Sequence, residues 1–167
     1  RPGDVVLILG AGPIGLMHAK MHLLAGAGLV VINDINSERL EECRKLEPGI
    51  VAVGSAHLGE ETLEMTAGRG ADICITACPS PEAQRSALQL VGINGKVMFF
   101  GGLPPHRSDV SLDTNLIHYK QIIVSGTTRQ SLSQFRRILG LLARRRLSLA
   151  GLVTSTVALE NISSAFE

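Results

Sequence analysis

A chain of 167 residues, 45% of them apolar and 19% charged, suits one domain with a real core, since folding at this length buries roughly two-thirds of the unfolded surface. A net charge of +1 gives no electrostatic footing for nucleic acid or an anionic membrane, and Gly and Pro interrupt the apolar runs before any could span a bilayer. Three cysteines, an odd number, in a Val/Ile-rich chain with no secretory leader pattern fit reduced thiols and predict a cytoplasmic setting.

In chain order, "VVLIL" (5–9) reads as a first strand. It runs into Gly10-Ala11-Gly12-Pro13-Ile14-Gly15, and helical spacing follows over 14–25, ended by Gly26 and Gly28. "LVVIN" (29–33) is the second strand. Ser37, preceding "ERLEECRKL", is the N-cap signal of a helix over 37–47, which Pro48-Gly49 closes. "IVAV" (50–53) is the third strand, then a helix over 59–67, then "DICIT" (72–76) as the fourth. Ser80 is a good N-cap with Pro81 at the first helical position of 81–91. "KVMFF" (96–100) is the fifth strand. The stretch 101–120 reads as loop plus a short helix, "QIIVS" (121–125) as the sixth strand and 130–146 as the last helix.

The strand runs are mostly continuous rather than alternating, the pattern of strands buried on both faces. Strand–helix alternation implies parallel pairing through right-handed crossovers. The predicted class is α/β: one Rossmann domain, 1–167, with a doubly wound parallel sheet of six strands in order 3-2-1-4-5-6 and helices on both faces.

The glycine cluster matches G-x-G-x-x-G in the context that gives the pattern meaning, after a buried strand and before an apolar helix. Gly10 permits the tight turn, Gly12 lets backbone approach a pyrophosphate, and Gly15 lets the helix pack close to the sheet. The helix N-terminus then offers free N–H groups and partial positive charge to phosphates. Asp34 ends the second strand roughly 20 residues after the last glycine, where a carboxylate accepts hydrogen bonds from the adenosine ribose and repels a 2′-phosphate. That favours NAD over NADP. The plainer alternative makes the glycines mere turn residues and Asp34 a cap on the turn that follows.

The segments "GAGPIG", "VINDINSERLEECRKL", "GADICITAC", "NGKVMFFGG" and "LIHYKQIIVSGT" together resemble the coenzyme domain of medium-chain, zinc-dependent alcohol and polyol dehydrogenases, nearest the sorbitol and threonine dehydrogenase branch. The resemblance covers almost the whole chain. It implies a fragment: a GroES-like catalytic domain that holds the zinc would precede "RPGDVVLI", and a tail would return to it after "ALENISSAFE". By resemblance, Pro13 and Ile14 belong to the pyrophosphate turn, with Ile14 packing on the cofactor. Asp34 is the ribose-binding acid and Arg39 a basic residue near the adenosine. Cys78, Phe100, Gly101, Gly102, Leu103, Thr127, Thr128 and Arg129 line the nicotinamide. No catalytic residue and no metal ligand is expected within these residues. The implied cofactors are NAD here and zinc in the other domain, and the implied partners are a small alcohol or polyol substrate and further copies in a homodimer or homotetramer. The sequence departs from the family at Ser155, where His often follows Thr, and at His18 and His22, where small apolar residues are usual.

Other constellations are weaker. His18 and His22 have the i, i+4 spacing of metal ligands but lack the Glu of H-E-x-x-H, so they read as structural and at least half-buried. Cys74 and Cys78 lie about 13 Å apart along a strand at ~3.3 Å per residue, too far for a disulfide; Cys74 reads as core. Arg136, Arg137, Arg144, Arg145 and Arg146 suit a helix C-terminus better than nucleic acid, because no aromatic platform accompanies them. Tyr119-Lys120 is not the Y-x-x-x-K of short-chain dehydrogenases. The expected function is hydride transfer between a secondary alcohol or polyol and NAD, with this chain orienting the cofactor. The alternatives are a non-catalytic nucleotide-binding or redox-sensing module, and a zinc-free quinone or enoyl reductase. "VSLDTN" (110–115) or "QIIVS" would supply an edge strand for a two-fold interface.

Overall fold

The computed structural model describes residues 1–166. Six strands, β1 (Val5–Leu9), β2 (Leu29–Asp34), β3 (Val51–Gly54), β4 (Ala71–Thr76), β5 (Val91–Phe99) and β6 (Ile123–Gly126), form one sheet. Its order is β3-β2-β1-β4-β5-β6, and all five pairings are parallel. The helices are α1 (Pro13–Leu24), α2 (Ser37–Leu46), α3 (Leu58–Met65), α4 (Pro81–Leu90), α5 (Thr114–Tyr119) and α6 (Leu132–Ala143). Fold class and strand order are those the alternation predicts.

The pleat sends successive side chains of β1 to opposite faces. Val6 and Ile8 join a cluster with Leu16 and Ala19 of α1 and Leu40 and Cys43 of α2. Leu7 and Leu9 join the other, with Leu58 of α3, Leu88 of α4 and, at its margin, Leu116 of α5. Both faces of the central strand are therefore dry, which is why its sequence carries no polar alternation. Leu7 is fully buried. Leu7→Ala is expected to cost about 2–5 kcal/mol through lost transfer energy and a cavity. Urea unfolding checks this, and a loss below about 1 kcal/mol would show that the site collapses around the gap.

Several boundaries differ from the sequence reading, each for a local reason. The N-cap of α2 is Asn36, not Ser37: its Oδ1 accepts the amides of Glu38 and Arg39 at 2.8 and 3.2 Å. Ser80 does cap α4, accepting from Ala83 N at 3.2 Å with Pro81 next. β5 starts at Val91 rather than 96. Val91 pairs with Ala71, the next pair is Lys96 with Ile73, and the residues between bulge outward, with Asn94 at φ 60; in sequence this stretch, "GING", looks like a turn. β6 starts at Ile123 because Gln121 adopts φ 54 and Ile122 turns into the core. The 110–115 stretch forms no strand. Asp113 accepts from Asn115 N at 3.0 Å and starts α5, which leaves β6 as the sheet edge on that side. α6 ends at Ala143, so Arg144 is its C-cap and Arg145 and Arg146 lie beyond it. Among the described residues no helix is long and apolar enough to cross a membrane.

Candidate functional site

Parallel strands bring their carboxyl ends to one edge: Leu9 lies level with Asn33 and with Thr76, and Thr76 with Phe99. Gly10, Asp34, Cys78 and Phe100 follow or end those strands, and Thr127, Thr128 and Arg129 follow β6.

Gly10 turns the chain at φ 114, and a Cβ there would meet Ala77 and Cys78 at 3.0 Å. Its amide donates to Asn33 O at 2.8 Å. A Cβ on Gly15 would overlap the Gly10 carbonyl. The close approach the sequence assigned to helix against sheet is thus mainly helix against its own turn; Ile32 of β2 is the next neighbour, at 3.5 Å. Gly12 is different in kind. It is the N-cap of α1, and nothing lies within 4 Å of the Cβ it lacks.

The α1 terminus carries neither a side-chain cap nor an acidic residue in its first turn. Each of the other five α-helices has one or both. The first turn of α1 thus supplies no side-chain acceptor of its own for its free amides.

Asp34 is 8% exposed. Its Oδ2 accepts Ala11 N at 2.7 Å and its Oδ1 accepts Asn36 N at 2.9 Å. The carboxylate thus ties the glycine turn to the end of β2 and also closes the turn before α2, as the plainer reading of this residue expects. Each oxygen keeps a further lone pair for another donor. Arg39 Nη1 stands 3.8 Å from Oδ2 on a side chain 58% exposed. A cleft of about 390 Å³ opens here, and Gly10, Asp34, Arg39 and Cys78 all line it. Sequence reasoning missed two of its other walls. Ile35, 92% exposed beside Asp34, stands at its rim. Asn33 lies below, its Nδ2 donating to Val53 O at 2.9 Å. An apolar residue directly after the strand-ending acid was the available signal for Ile35.

The remaining expected residues are less closely gathered. Pro13 and Ile14 are exposed in the first turn of α1. Phe100 and Gly101 donate their amides to Thr76 O at 3.2 and 2.7 Å, which holds the end of β5 against β4. Gly102 and Leu103 follow in a loop, and Thr127, Thr128 and Arg129 are exposed beyond β6; none of these five lines the cleft. Burial and the charge of Asp34 push the Cys78 thiol up, and burial pushes Cys74 up to about 12. All three cysteines are free thiols, Cys74 fully buried.

His18 and His22 are half-buried on α1, with ring centroids 6.3 Å apart, and His18 meets Phe100 edge-on at 4.6 Å. Among the described residues no three His, Cys, Asp or Glu side chains converge as a metal site. Burial first, then His22, lowers His18 from its ordinary 6.5 to about 4. The unfolded chain therefore binds a proton that the folded chain refuses between those values, and stability falls as pH drops from 6.5 to 4. The urea midpoint of the parent is expected to fall more over that window than that of His18→Leu. Parallel curves would show that His18 is not the group responsible.

The family model for zinc-binding dehydrogenases matches residues 13–144. The L-threonine 3-dehydrogenase of Shigella sonnei is 30% identical over 168 aligned positions, covering 99% of this chain and 48% of that protein. The chain thus spans about half the length of the curated relatives it matches. Among solved structures, a short chain alcohol dehydrogenase from E. coli CFT073 complexed with cofactor NADH superposes with TM-score 0.87 at 22% identity, over 99% of this chain and 48% of its own. A protein of Sinorhizobium meliloti 1021 bound to NADP does so with TM-score 0.85 at 20% identity, with the same coverage. The matched span takes in most of the sheet and all six α-helices, and on that ground the chain belongs to the zinc-binding dehydrogenase family.

Proposed function

We propose that this chain is the NAD(H)-binding half of a two-domain oxidoreductase that moves hydride between a secondary alcohol or polyol and the nicotinamide. One observation carries the reading: an uncapped, acid-free helix terminus with an open glycine lies one hydrogen bond from a nearly buried carboxylate, so a diphosphate seat and a ribose acceptor share one turn. In this reading the amides of Gly12 and Ile14 hold the diphosphate, Pro13 between them offering no N–H, and Asp34 accepts the ribose hydroxyls. Ile35 and Arg39 flank the adenine. Cys78, Phe100–Leu103 and Thr127–Arg129 border the nicotinamide end.

The neighbours carry NADH in one case and NADP in the other, so the fold admits both, and Asp34 is what argues for NAD. The nicotinamide supplies the hydride chemistry. These residues supply orientation, and any zinc would be held outside them. The name of the threonine dehydrogenase relative supports a small hydroxyl-bearing substrate. Exposed apolar residues on α6 and β6, among them Phe135 and Ile123, suit burial by the second domain and by pairing of β6 with another copy. Fluorescence titration of this chain should show NADH bound at least tenfold more tightly than NADPH, a difference of about 1.4 kcal/mol. No uptake of either, or preference for NADPH, would sink the assignment.

A further inference from the structure

After α6 the chain turns back across the molecule. Leu152 N donates to Leu149 O at 3.1 Å. Gly151 adopts φ 80, and a Cβ on it would overlap the Leu46 side chain at the end of α2. Leu152 then packs against the core cluster that contains Ala11 and Leu16. Among the described residues it is the only one beyond Val124 that packs against either core; α6 has no buried residue. A single leucine, steered by a residue that needs the left-handed region, therefore fixes the segment.

That anchor lies against the glycine turn. A crevice of about 90 Å³ has Ala11, Gly12 and Pro13 on one side and Gly151, Leu152 and Thr154 on the other. Ala11 is already held by Asp34 at its amide and by the Cys43 thiol at its carbonyl, 3.6 Å away. No hydrogen bond from the segment reaches the turn, so packing is its only hold on it. A turn that must present amides to a diphosphate in fixed directions gains from having that flank closed.

We propose that residues 149–154 form a third wall of the dinucleotide site, and that Gly151 and Leu152 are positioning residues whose seating on α1 and α2 sets the affinity of the Gly10–Gly15 turn. The proposal rests on the dinucleotide reading above. Coupling of this kind is reciprocal: if a seated segment favours the dinucleotide, the dinucleotide favours seating by the same factor.

The test uses the full chain with NADH. Arg144, Arg145 and Arg146, exposed just before the segment, are ready trypsin sites that report its release. In the parent, saturating NADH should slow cleavage there about tenfold, within the usual range for coupled sites. Leu152→Ala should weaken NADH binding by about the same factor and abolish the protection, and Leu152→Met, which refills the space, should restore both. Circular dichroism confirms that the sheet survives, and the protection assay on the parent needs no variant. NADH binding unchanged by Leu152→Ala, with cleavage indifferent to NADH, would overturn the proposal while leaving the dinucleotide site standing. Failure of the parent itself to take up NADH would overturn both.

Discussion

Gly15→Ala is expected to yield little folded protein, whereas Gly12→Ala folds like the parent and binds the dinucleotide at least tenfold more weakly. At position 15 the added methyl collides with the Gly10 carbonyl. The Gly10 amide is itself fixed to Asn33, so neither side can yield cheaply. Overpacking usually costs about 1–3 kcal/mol and more where backbone must move, a large share of the 5–15 kcal/mol that holds a domain together. At position 12 the methyl meets nothing within 4 Å, and φ −72 suits any residue. It stands instead where a diphosphate would approach, and at least tenfold weaker NADH binding follows, about 1.4 kcal/mol. Thermal melts by circular dichroism and NADH titration of both variants separate the two effects. Parent-like binding by Gly12→Ala would remove the diphosphate from this turn.

The second large effect belongs to Asp34. Asp34→Ala should weaken NADH binding roughly 10–100-fold, the worth of one charge-assisted hydrogen bond of about 1.5–3 kcal/mol. NADPH should suffer less, because the repulsion of its 2′-phosphate disappears with the carboxylate. The ratio of the two affinities is the decisive quantity. The same substitution strips the acceptor from Ala11 N and Asn36 N, and a buried unsatisfied amide costs about 1–3 kcal/mol in stability. Both ligands share that loss, so it cancels in the ratio. An unchanged ratio would take the ribose role away from Asp34.

Sheet order, the number of strands and the sidedness of the helices were legible because continuous β-branched runs separated by helical periodicity leave few topologies open. The placement of Gly10, Gly12, Gly15 and Asp34 at one edge of the sheet was legible for a related reason: they sit at or just past strand ends, and strand ends were visible. Features that depend on a partner far along the chain were hidden. No local pattern joins Asp34 to Ala11, and nothing near Gly151 reveals that Leu46 crowds it. Val91 was misassigned because "GING" carries turn chemistry that a bulged strand also uses. Asn36 lost the cap to Ser37 because both residue types serve equally well and only backbone geometry decides between them.

The double engagement of Asp34 bears on how such a protein changes over generations. The Ala11 amide needs an acceptor whichever nucleotide is present. A lineage drifting toward the phosphorylated coenzyme cannot simply discard the acid, since the first mutant would inherit a loosened hinge before it gained a new ligand. The shorter path adds a substitute acceptor near residue 11 first and removes the carboxylate second, so the order of the two mutations is constrained by structure before selection on the ligand begins.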